Sequence, residues 1–191
     1  DLHLLRKCPC PVWIDRPESA QPYRHILAAV DTHDEFAIEL NRLIMDLASS
    51  LAEQEAAQLH VVHAWQLPGE GMLRSGRGRV SAIELEQLLA HKQRTHRQRL
   101  DNLLKDYGLG SDSPRVNMVK EQASKAITSM AEEAGTDLIV MGTVARTGIP
   151  GFITGNTAEM ILAQIESSVL AIKPRGFSTP VTLEAGDGLA I

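Results

Sequence analysis

At 191 residues, with 43% hydrophobic and 23% charged side chains, the chain is long enough for one sizeable core plus appendages, too apolar for general disorder and too mixed for a fibre. Its net charge of −5 argues against general nucleic-acid binding, because the phosphate backbone rewards basic surfaces. No apolar run approaches the roughly 20 residues of a membrane helix, residues 1–7 lack the order of a signal peptide, and Cys8 and Cys10 are too close for an easy disulfide and too few for structural zinc, so a cytoplasmic setting is expected.

Near the amino end, Leu4 to Pro17 reads LLRKCPCPVWIDRP, and near the other end Ile161 to Pro174 reads ILAQIESSVLAIKP. Aligned, they agree in type at Leu4/Ile161, Leu5/Leu162, Val12/Val169, Arg16/Lys173 and Pro17/Pro174. This likeness predicts that residues 1–17 are the end of a preceding, similar domain, residues 18–24 a linker, residues 25–174 the complete domain and residues 175–191 a tail. The alternative is a chance likeness of two short helix-to-strand segments.

His25 to Val30 reads as a short buried strand, with Asp31, Thr32, His33 and Asp34 supplying turn and capping side chains. Phe36, Leu40, Leu43, Ile44, Leu47 and Leu51 recur at helical spacing and predict a helix from about Glu35 to Gln54 with those residues inward. Leu59 to Trp65 is a second buried strand, followed by a loop rich in glycine (Gly69, Gly71, Gly76, Gly78). Leu85, Leu88, Leu89, Leu100, Leu103, Leu104 and Tyr107 mark a long helix ending at Gly108. Its arginines and those of the loop before it read as a solvated face, since no aromatic residues are interleaved to stack bases. A strand from Arg115 to Lys120, a helix capped by Ser124, a strand from Asp137 to Met141, a helix from Asn156 to Ile165 and a strand from Ser168 to Ile172 complete the order.

Alternating strands and amphipathic helices predict an α/β fold, an open, mainly parallel five-stranded sheet with helices on both faces. Ligands of such sheets sit at the strand carboxyl ends near a topological switch point, and Asp31 and Gly142 each follow such an end. The last strand would be an open sheet edge, and residues Val12 to Ile14 could cover it.

Between Met141 and Asn156 runs GTVARTGIPGFITGNT. Its glycines let a ligand approach the backbone, and the helix after it offers unpaired amides to an anion, so a phosphate group is the natural guest. The phosphate loop of nucleotide hydrolases and the GxGxxG fingerprint both fit poorly. The run, together with DLIVMG before it, GNTAE after it, ILAAVD and AQLHVVHAW, resembles the universal stress protein family over about Tyr23 to Pro174, and its tandem members in particular.

The resemblance implies an adenine-nucleotide alpha-hydrolase-like, Rossmann-like fold and ATP or another adenine nucleotide, with magnesium, as ligand. It implies contacts from Asp31 to the ribose or base, from the Ala64 backbone to the adenine, and from Gly142, Gly155, Asn156 and Thr157 to the phosphates, with Met141 also in the nucleotide-binding site. Ala145 stands where nucleotide-binding members carry a second glycine, which leaves a silenced pocket as the alternative. The resemblance also implies association with another such domain through the last strand, within a tandem chain or as a homodimer.

Asp31, Asp34 and Glu35 could hold magnesium, although carboxylates at a helix start are commonly caps. His60 and His63, three apart in a strand, point to opposite faces and do not share a metal. No nucleophile elbow or Cys/His pair is present, so no catalytic residues are assigned.

Overall fold

The computed structural model describes Leu5 and residues 8–16, 22–33, 37–75, 80–143 and 156–177, of which residues 156 and 157 are described by backbone alone. In chain order these form β1 (Val12–Ile14), β2 (His25–Ala29), α1 (Ile38–Glu55), β3 (Gln58–Ala64), α2 (Glu70–Arg74), α3 (Ala82–Leu104), a 3-10 turn (Lys105–Tyr107), β4 (Val116–Val119), α4 (Ala123–Glu133), β5 (Leu138–Gly142), α5 (Asn156–Leu162) and β6 (Ser168–Ile172). One sheet results, in the order β1-β6-β5-β2-β3-β4. Every pairing is parallel except that of β1 with β6.

The α/β class and the mainly parallel sheet match the sequence expectation, but the sheet has six strands rather than five. The extra one is β1, which covers the outer edge of β6 and satisfies backbone groups that an open edge would expose. Alternate strand residues face two cores. Ile26, Ala28, Val61, Leu138, Val140 and Leu170 lie under α1 and α3, and Leu27, Ala29, Val62, Ile139, Met141 and Val169 lie against α4 and α5.

Several local expectations are corrected. In α1 the fully buried residues are Asn41, Ile44, Met45, Ala48 and Ala52, while Leu40, Leu43, Leu47 and Leu51 pack half-buried along the flanks. Small residues at the centre of the stripe let the helix approach the sheet closely. The glycine-rich segment contains α2, held by the Glu70 carboxylate between Arg74 at 2.7 Å and Lys120 at 2.8 Å. Ser124 does not cap α4, whose N-cap is Gln122. It lies inside the helix, buried, with its hydroxyl unpaired. Tyr107 belongs to the 3-10 turn and donates its hydroxyl to Asp46 Oδ1 at 2.7 Å rather than packing as a purely apolar residue. Helix α5 stops at Leu162, short of Ile165, as Gln164 closes a turn onto the Ile161 carbonyl. The start of α3 carries a capping box between Ser81 and Glu84.

The β1–β6 contact has two-fold character. Trp13 pairs with Leu170, Val12 with Ala171 and Ile14 with Val169. In the alignment of the two end segments Trp13 falls on Leu170, while Val12 falls on Val169 and Ile14 on Ala171, so each segment meets the other as its own equivalent would. The side chains repeat the exchange. Arg16 donates from Nη2 to the Leu162 carbonyl at 2.9 Å, and Lys173 donates from Nζ to the Leu5 carbonyl. Arg16 aligns with Lys173 and Leu5 with Leu162, which is the reciprocity of an isologous contact.

Candidate functional site

Strands β2 and β5 are neighbours, in register at Ala29 and Met141. From β2 the chain crosses through α1 on one face to β3, and from β5 it crosses through α5 on the other face to β6. The direction of winding therefore reverses between β2 and β5, and a crevice opens at their carboxyl ends.

Asp31 lies just past the end of β2 and is exposed. Its position is fixed by Asn41, whose Oδ1 accepts from the Asp31 N–H at 2.9 Å and whose Nδ2 donates to the Asp31 carbonyl at 2.7 Å. The Asp31 carboxylate accepts the His33 N–H at 2.9 Å, an Asx turn that leaves part of its hydrogen-bonding capacity for a ligand. Gly142 ends β5, and Met141 beside it is buried. Ala64 ends β3, the strand on the other side of β2. These four residues are thus brought to one end of three adjacent strands. Asn156 and Thr157 open α5. Gly155, Ala145, Asp34 and Glu35 lie outside the described residues.

A histidine network beneath this crevice was not anticipated. His63 is fully buried, and its Nδ1 lies 3.1 Å from the Val30 carbonyl. A carbonyl only accepts, so Nδ1 carries the proton and Nε2 must accept. Nε2 faces the Thr32 hydroxyl at 3.2 Å and Nδ1 of His96 at 3.0 Å, which makes His96 a donor through Nδ1. The His96 ring stacks between His33 and Trp65, with centroids 5.7 Å and 5.5 Å away. Burial holds His63 below its ordinary value, opposed by the Val30 hydrogen bond. Burial, then the neighbouring His63 and His33, lowers His96 to about 4. Both rings are therefore neutral near pH 7, as the network requires. His60 lies apart, beside His25 with ring centroids 6.1 Å away. Among the described residues, no group of three or more His, Cys, Asp or Glu is placed to hold a metal ion. The Thr32 hydroxyl beside His63 is buried, so this pair ties the turn after β2 to β3 and α3 and does not present a nucleophile.

Gly142 has a packing reason to be glycine. A Cβ there would stand 2.9 Å from Leu40 Cδ2 and 3.8 Å from Ile44 Cδ1. Gly142→Ala is expected to destabilise the fold by about 1 kcal/mol through overpacking. Leu40→Ala in the same chain should recover most of the added cost in urea unfolding. If the two changes were simply additive, the contact with Leu40 would not be the cause.

The family model described as "Universal stress protein family" matches residues 22–173. The chain belongs to the universal stress protein family. Universal stress protein E of Escherichia coli (strain K12) is 30% identical over 192 residues, covering 96% of this chain and 57% of the relative. The Universal stress protein E homolog of Haemophilus influenzae is 30% identical over 182 residues, covering 91% and 55%. Among solved structures, a putative universal stress protein from Pseudomonas aeruginosa superposes with a TM-score of 0.72 at 30% identity, covering 91% of this chain and 56% of that one. A universal stress protein from Archaeoglobus fulgidus has a TM-score of 0.56 at 18% identity, covering 89% and 53%, and so shares the fold. The chain spans little more than half the length of these relatives.

Within a universal stress protein domain, the sequence located the strand ends and the turn at Thr32 but missed the parts played by Asn41, His96 and Arg99. Arg99 donates from Nη1 to the carbonyls of Thr32 and His33 and so clamps the same turn. A lone asparagine within an apolar helical stripe and a histidine within an apolar strand were the available signals.

Proposed function

We propose that this domain is a cytoplasmic stress-response module that holds a nucleotide or another phosphate-bearing molecule at the strand carboxyl ends, without turnover. The observation that supports this reading is the reversal of winding between β2 and β5, with Asp31 and Gly142 each at the carboxyl end of one of these adjacent strands, in a universal stress protein domain. Asp31 serves the ribose or base and the Ala64 backbone the adenine. Gly142, with Gly155, Asn156 and Thr157, serves the phosphates, with magnesium as counter-ion. Calorimetry with millimolar ATP, ADP and AMP in the presence of magnesium is expected to give saturable heat, about tenfold weaker in Asp31→Ala, the loss of one charge-assisted hydrogen bond. No heat with any of the three would overturn the nucleotide reading. Phosphate release above background would replace the non-enzymatic reading with that of a weak ATPase.

A second reading, an adaptor that pairs domains, is supported by the reciprocal contacts of Arg16 and Lys173 across β1 and β6. The partner is another domain of the same family that lays its own last strand on β6, in a longer tandem chain or as a second copy. Deleting residues 1–17 uncovers β6 and should shift sedimentation from one oligomeric state to another, and an unchanged profile would count against it.

A further inference from the structure

A cavity of about 320 Å³ lies between the first turns of α1 and the last turns of α3. Arg42, Arg99 and Lys105 line it together with Asn102, Thr32 and Leu103, and no carboxylate is among its described lining residues. That is against composition, since Asp and Glu number 24 and Lys and Arg only 19 in the whole chain. None of the three cations forms an ion pair with another described residue. Asp46, one helical turn beyond Arg42, has its carboxylate engaged by the Tyr107 hydroxyl at 2.7 Å. Three like charges lining one cavity repel one another, and a bound anion removes that repulsion.

The site is partly preorganised. Arg99 is half-buried and its Nη1 is held by the Thr32 and His33 carbonyls. The guanidinium plane is thereby fixed while its remaining N–H groups stay available for an oxyanion. The floor is rigid, since Thr32 and Asn41 are both buried and hydrogen-bonded. Arg42 and Lys105 are exposed and free to close on a guest. At roughly 30 Å³ per water molecule, the volume suits an ion of about ten heavy atoms.

The geometry points to this cleft as a binding site for a compact phosphate anion bearing two or more charges, separate from the crevice between β2 and β5. Both Arg99 and Asn41 hold the turn on which Asp31 sits, so an anion here would stiffen that turn from behind.

The test uses inorganic pyrophosphate as probe, at constant ionic strength, followed by calorimetry and by amide chemical shifts of the full chain. Saturable binding with shifts at Thr32, Asn102 and Leu103 is expected. Arg42→Gln/Lys105→Gln, both exposed positions, should weaken it at least tenfold, while Arg42→Lys/Lys105→Arg should stay within about threefold of the parent. Absent binding, an undiminished affinity in the glutamine variant, or shifts confined to Gly142 and Thr143 would each overturn the assignment. ATP titrated into the same glutamine variant reports the strand-end crevice separately, so failure at one site is distinguishable from failure at the other.

Discussion

Asn41→Ala is expected to destabilise the domain by about 3 kcal/mol, because it strips both hydrogen bonds from the Asp31 backbone in a partly buried setting. Each lost bond to such a partly buried backbone group costs roughly 1 to 2 kcal/mol, against a gain of about 0.5 kcal/mol from the better helix propensity of alanine. At roughly 2–4 °C per kcal/mol for a chain of this size, the melting temperature should fall by about 6–12 °C. Asn41→Leu separates the causes. It keeps the side-chain volume and loses both bonds, so it should be as damaging as alanine. A leucine variant as stable as the parent would show that packing, rather than the grip on Asp31, is what the residue supplies. Because that grip positions Asp31, the nucleotide binding proposed above should weaken in both variants as it is expected to in Asp31→Ala.

The same residue marks where the sequence stops being legible. Strand order, and with it the placing of Asp31 and Gly142 at strand ends, follows from short apolar runs and turn residues, which are local signals. The helical stripe of α1 is also local, but choosing its centre requires knowing the partner surface. Leucines suggested one face, whereas the close approach of the helix to β2 and β5 selects Asn41, Met45 and Ala48 for the middle. Strand β1 has three residues, too few for an alternating pattern to register. Its role comes from the unpaired edge of β6, a property of the assembled sheet. Gly142 was singled out for ligand approach, and the structure adds Leu40 behind it. That contact is invisible in sequence because the two residues are far apart along the chain. The pairing of His63 with His96 is likewise tertiary.

That histidine pair also makes the stability of the domain depend on pH. In the unfolded chain both rings protonate near 6.5, whereas in the folded domain His96 resists protonation down to about 4 and His63 is also held low. Between these limits the unfolded state binds more protons, so stability rises with pH. The stabilisation of the neutral pair is complete above about 6.5 and is lost progressively as the pH falls towards about 4. The slope is up to about 1.4 kcal/mol per pH unit for each proton excluded. Protonating Nε2 of His63 would set two N–H donors against each other across the 3.0 Å contact with His96. The turn holding Thr32 and His33 would then lose its tie to α3 through the histidines and be held there by Arg99 alone. Acid-side unfolding of the parent should be compared with that of His96→Asn, whose amide keeps a donor near the Nδ1 position but does not titrate. The difference between the two curves isolates the ring from the carboxylates, which titrate alike in both. It should climb between pH 4 and 6.5 by about one proton's worth, and a flat difference would mean that His96 is protonated in the folded domain as readily as in the unfolded chain.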